Sequence, residues 1–198
     1  MTIVGDIAQA TGPWAPSRWQ DVLDHLPRQW TSREVELTIG YRTPAEAMEL
    51  AAKVLAETGL GLQPPRPVRS SGVEPVIVAT SAGLRGDEVS RVVQESLKTI
   101  EDGTVGVIAP GELIDEVARV LARSGVDYEV AGARTNDAVV TLLSAAIAKG
   151  LEFDSVVVVE PAMLLAESAQ GLRSLYVALT RPTRQLAIVH TAPLPSFL

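Results

Sequence analysis

The sequence predicts a doubly wound α/β domain built on a mainly parallel sheet, and three observations carry that prediction. Strand-like and helix-like patterns alternate along most of the chain, as right-handed β-α-β crossovers require. The run Ser155 to Glu160 is apolar on both faces and β-branched, which suits a central strand covered by helices on either side. Of the 198 residues, 46% are hydrophobic, enough to bury a sizeable core.

The first segment, Met1 to Trp30, differs from the rest. Residues TIVGD look strand-like, Gly12, Pro13, Trp14 and Pro16 break the pattern, and Ser17 to Leu26 forms a short amphipathic piece. Residues 1–30 read as an appendage, and residues 31–198 as the α/β domain. Arg33 to Ile39 (REVELTI) alternates polar and apolar residues with the period of a strand. Pro44 then opens a helical stretch, PAEAMELAAKVLAE, that ends at Gly59. Gly61 to Gly72, with Pro64, Pro65 and Pro67, is a breaker-rich loop before the strand PVIVAT at Pro75 to Thr80.

Helical periodicity returns at Glu88 to Ile100. The strand TVGVIAP (Thr104 to Pro110) feeds a helix from Glu112 to Ser124 stopped by Gly125, and a short strand follows at Asp127 to Val130. Ala138 to Leu143 reads as a strand, then the Val run, a helix from Ala169 to Thr180, and a last strand at Gln185 to Thr191.

Composition excludes several classes of function. The formal charge of −7 argues against a surface whose main task is to neutralise many phosphates. With no Cys there are no disulfides, thiolate metal sites or Cys nucleophiles, and only His25 and His190 offer imidazoles, so no metal site is expected on this chain. No apolar run is long enough to cross a bilayer, and the chain reads as soluble and cytoplasmic.

Four short stretches carry the chemistry: VGDIAQ at Val4 to Gln9, GYRTP at Gly40 to Pro44, KGLEF at Lys149 to Phe153, and LYVALTRPTRQL at Leu175 to Leu186. Singly each is weak, since a Tyr-Arg pair, a Lys-Gly turn or an arginine at a helix end is common. In this order they resemble the later motifs of the UvrD/Rep class of superfamily-one helicases. YRTPAEAM and LTRPTRQLAIVH are most similar to the HelD proteins, which associate with bacterial RNA polymerase.

The resemblance implies a C-terminal RecA-like domain, one of two that hold ATP and Mg²⁺ between them. It implies that Arg42 and Arg181 bring guanidinium charge to the γ-phosphate, where a planar, permanently charged fork is needed. Tyr41 would stack on the base. Gln9 would sense the γ-phosphate, and Glu152, with Lys149 and Gly150, would line the loop near the nucleotide. Gly150 would permit a tight approach while Leu151 and Phe153 anchor that loop in the core. Arg184, beyond Pro182, would be a solvated arginine at the helix exit.

The first half of such a site is missing from the sequence. No Gly-x-x-x-x-Gly-Lys-Ser/Thr loop and no Asp-Glu pair closing an apolar strand is present. The chain is therefore expected to be a fragment beginning late in the first domain, or a homologue without it, and to be inactive in isolation. Its expected partners are an N-terminal RecA-like domain of the same parent and RNA polymerase, with nucleic-acid contact weak. Translocases of the family carry Thr and His where this chain has Ser144 and Ala146, and little room remains for a large accessory domain between Arg42 and Lys149. Two other readings stay open: a protein-interaction module whose motif residues have no nucleotide role, and half of a true DNA translocase.

Overall fold

The structure is a computed structural model that describes residues 2–27, 33–132 and 138–198. A 3-10 turn at Ile7–Gln9 comes first, followed by α1 (Trp19–Leu23), β1 (Ile39–Gly40), α2 (Ala45–Glu57), β2 (Arg66–Pro67), β3 (Val76–Ala79) and α3 (Arg85–Ile100). Then come β4 (Val105–Ile108), a 3-10 turn at Gly111–Leu113, α4 (Ile114–Arg123), β5 (Tyr128–Val130), β6 (Val140–Leu143) and α5 (Ala145–Ala148). β7 (Phe153–Val159), α6 (Pro161–Ala166), α7 (Gly171–Leu179) and β8 (Pro182–His190) complete it.

Six strands form one sheet in the order β3-β8-β7-β4-β6-β5, and every pairing is parallel. The Val run is its centre. Because successive side chains of a strand point to opposite faces, Val156 and Val158 join the core made with α2 and α7, while Val157 and Val159 join the core made with α3 and α4. All four are 0% exposed. Full burial of each such side chain contributes roughly 1.5–3 kcal/mol, so the doubly covered strand is a main source of stability.

The predicted helices at α2, α3, α4 and α7 and the strands at β3 to β8 are present within a few residues. Three expectations are corrected. REVELTI is not a sheet strand: only Ile39–Gly40 pairs, with Arg66–Pro67, and residues 33–38 lie exposed with no regular structure. TIVGD is not a strand either, because Asp6 accepts the Ala8 N–H (2.8 Å) and turns the chain into the 3-10 segment. The helix expected from Glu112 begins with a 3-10 turn and becomes α-helical at Ile114.

The N-terminal segment docks on the domain. Ile7 and Ala8 are buried, and Arg173 of α7 donates to the carbonyls of Ala10 and Pro16, both at 3.0 Å. The expected domain start at residue 31 lies outside the described residues.

Candidate functional site

Parallel pairing of β7 with β8 sets Phe153 beside Pro182, so the residues just before them, Glu152 and Arg181, meet at the amino-terminal ends of the two strands. Thr43 adds a third segment, since its Oγ1 donates to the Thr180 carbonyl (3.0 Å) and fixes the GYRTP loop against the end of α7. Arg42 is thereby carried to Glu152, with Nε 2.6 Å from Oε1. Its N–H is not aimed at the carboxylate, so the contact is a charge pair rather than a hydrogen bond. Both side chains are about 40% exposed, and such a pair contributes little to stability.

Arg181 is different, being 2% exposed. Nε donates to the Val177 carbonyl (3.0 Å), Nη1 to the Leu151 carbonyl (3.2 Å), and Nη2 to Thr180 Oγ1 (3.0 Å) and to Gln9 Oε1 (3.2 Å). Every acceptor is neutral, and among the described residues no carboxylate is within ion-pair distance of it. Burial, and next the like charge of Arg42, pull its pKa below the ordinary arginine value, with Glu152 opposing them. The result is a desolvated cation held in place by dipoles and lacking a counter-ion.

Gln9 reaches Arg181 because its own Nε2 donates to Asp6 Oδ2 (2.8 Å). The structure thus brings together Gln9, Arg42, Glu152 and Arg181. Tyr41 is adjacent in sequence and 70% exposed, leaving its ring face open. Lys149 and Gly150 lie exposed on the loop before β7. Gly150 has φ +85, which is the reason for glycine there; no tight approach is involved, since an added Cβ would meet nothing within 4 Å. Phe153 anchors the loop as expected, but Leu151 is 40% exposed and does not. Arg184 is on β8 rather than at a helix exit, and its Nη1 donates to the Ile100 carbonyl at the end of α3 (3.4 Å).

Sequence reasoning missed Asp6, Thr43 and Tyr176. Asp6 was legible as a cap, an Asp directly before a turn whose N–H groups need an acceptor. Thr43 and Tyr176 had no such signal. The Tyr176 hydroxyl, pushed up to about 12 by burial and then by Asp6, stays neutral beside the cluster. Among the described residues there is no group of His, Asp and Glu suited to hold a metal ion, and no helix long and apolar enough to cross a membrane.

Comparison of the sequence with protein-family profiles and with curated protein sequences finds no match. Comparison of the fold does. The C-terminal domain of a possible DNA helicase from Lactobacillus plantarum WCFS1 superposes with a TM-score of 0.60 at 20% identity, covering 80% of this chain and 91% of that one. Looser matches are the Sulfolobus solfataricus SWI2/SNF2 ATPase core in complex with dsDNA (TM-score 0.47, 13% identity, 80% of this chain and 35% of that one) and the arterivirus helicase nonstructural protein 10 with DNA (0.45, 13%, 76% and 33%). The chain has the α/β fold of a C-terminal RecA-like helicase domain, with a six-stranded parallel sheet between helices.

Proposed function

We propose that this chain is the C-terminal, nucleotide-closing half of a HelD-like ATPase. A P-loop domain outside this sequence supplies the phosphate cradle and the Mg²⁺ site, and the parent couples ATP hydrolysis to remodelling of RNA polymerase. The observation that carries the reading is the buried Arg181, desolvated, without a counter-ion and fixed beside Arg42. Placing such a cation costs free energy that a structural role does not recover, whereas an anion arriving from outside does recover it.

The position of the cluster supports the same reading. Open α/β sheets hold their own ligands beyond the carboxyl ends of the strands. Gln9, Arg42, Glu152 and Arg181 lie at the amino ends instead, where they suit a nucleotide presented by another domain. Bound ATP would supply the scissile phosphoanhydride. Arg42 and Arg181 would neutralise charge on its terminal phosphate, Gln9 would report phosphate occupancy to the N-terminal segment, and Tyr41 would cover the base. Glu152 holds Arg42 in reach of that phosphate. Ser144 and Ala146, a short hydroxyl and a methyl with no donor, favour polymerase remodelling over processive travel on DNA.

The test is steady-state ATPase activity in a protein joining this chain to its P-loop domain. Arg42→Ala should lower kcat by at least about 10²-fold with a much smaller effect on nucleotide binding. Arg42→Lys should recover only a small part, because charge returns without the fork. A near-normal kcat for Arg42→Ala would favour a protein-interaction module without a nucleotide role. The chain alone should show no Mg²⁺-dependent turnover above a mock preparation.

A further inference from the structure

Two contiguous depressions share no lining residue with the cluster of Gln9, Arg42, Glu152 and Arg181. One, of about 250 Å³, is lined by Arg69, Ser70, Ser71, Val73, Arg184 and Gln185. The other, of about 180 Å³, continues from Val73 and Gln185 beneath α3, where Val76, Val92, Leu186 and Ala187 make its aliphatic wall.

The polar depression has an unusual charge balance. Arg69 Nη2 donates to the Thr183 carbonyl and Arg184 Nη1 to the Ile100 carbonyl, both at a long 3.4 Å. Among the described residues neither guanidinium has a carboxylate within ion-pair distance, so two cations face one cavity on a chain of formal charge −7. The neighbouring carboxylate, Glu46, is already engaged. It accepts from Ser70 Oγ, Ser71 N (3.1 Å) and Gly72 N (2.9 Å), and these bonds, that of Ser70 foremost, hold its pKa down at about 2. The loop is thus fixed while the arginine donors stay available.

The aliphatic depression adjoins an open sheet edge. β3 pairs only with β8 among the described residues, and its Val76 and Ile77 are 49% and 45% exposed. An extended segment can add to such an edge through main-chain hydrogen bonds, with side chains choosing the pockets. Glu95 also lines the aliphatic side, already paired to Arg91 at 2.8 Å, so an incoming anion is directed to the arginine end.

We propose that this double cleft docks an acidic segment of a partner protein, one carboxylate between Arg69 and Arg184 and a neighbouring aliphatic side chain under α3, its backbone along β3. A carboxylate matches the planar guanidinium fork, and the adjoining cavity adds a reason for an apolar neighbour. Nucleic acid fits less well, since neither depression is lined by an aromatic residue for stacking and the net charge repels a polyphosphate.

Amide chemical shifts of the whole chain, titrated with the capped peptide Gly-Ser-Asp-Leu-Ser-Gly, test this. The expected result is saturable shifts at residues 70–73 and 185–187 with a Kd near or below about 1 mM. Replacing Asp by Asn in the peptide should weaken binding at least about tenfold, the usual worth of a charge-assisted hydrogen bond. Replacing Leu by Ser should abolish the shifts at Leu186 and Ala187. The double variant Arg69→Ala/Arg184→Ala, its other amides unmoved, should lose binding. Equal binding of the Asn peptide, absence of shifts at these residues, or stronger shifts there from oligothymidylate or inorganic phosphate would overturn the proposal.

Discussion

The two ends of the central strands hold buried charge in opposite ways. At the carboxyl end of β7, Glu160 is 0% exposed, yet its carboxylate accepts Thr191 N (3.0 Å), Thr191 Oγ1 (2.6 Å) and Arg85 Nη1 (3.3 Å). Arg85 in turn donates to Glu116 from Nη2, at 2.8 and 2.9 Å, and from Nε, at 3.1 Å. Burial alone would raise the Glu160 pKa, but the hydrogen bonds from Thr191 and Ala192 and the contact with Arg85 outweigh it and hold the group below the ordinary carboxylate value. At the amino end, Arg181 has only neutral acceptors, and burial dominates. One network has its counter-charge within the chain; the other, on the proposed reading, would receive it from a bound anion. What separates the two buried groups is the counter-charge, present beside Glu160 and absent beside Arg181 among the described residues.

The largest stability effect should come from breaking the complete network. Glu160→Ala strands part of the Arg85 charge and should cost about 3 kcal/mol in urea denaturation, as breaking a buried pair does. Arg181→Ala loses several hydrogen bonds but also removes a desolvated cation beside Arg42, so it should change stability by about 1 kcal/mol or less. Equal losses would erase the distinction.

A purely steric change comes next. At Gly171, where α7 starts, an added Cβ would lie 2.0 Å from the Leu165 carbonyl oxygen. Backbone must move to admit it, and Gly171→Ala should cost about 1–3 kcal/mol by the same denaturation. Acid sharpens the comparison further. The folded-state pKa of Glu46 is depressed to about 2, below its unfolded value, so its stabilisation is full above the unfolded pKa. It is lost as pH falls from about 4.5 towards 2, and Glu46→Gln should flatten the stability profile in that window. The smallest effect belongs to Arg184→Ala, which gives up one long, partly buried contact from an exposed residue and should stay within about 0.5 kcal/mol.

The contrast also explains what was legible in the sequence. The Val run announced a doubly covered strand because burial on both faces leaves no polar position in it. REVELTI misled because alternation reports two unlike faces and says nothing of a pairing partner. Here Val35, Leu37 and Ile39 remain exposed. α5 and α6 are four and six residues long, too short for a periodic signal. That Gln9, Arg42, Glu152 and Arg181 belong together was legible from the order of the motifs, and the fold sets these side chains side by side. The electrostatic state of the cluster was not legible, because burial of one arginine and the neutrality of its acceptors depend on contacts as distant as Gln9 to Arg181.

The most direct test of the central claim is the kcat of Arg181→Ala in the protein joined to its P-loop domain, measured with its unfolding midpoint. If Arg181 awaits the charge of a phosphate, kcat should fall at least about 10²-fold while the midpoint stays within a few degrees of the parent. A kcat within about twofold of the parent, with the fold intact, would contradict it.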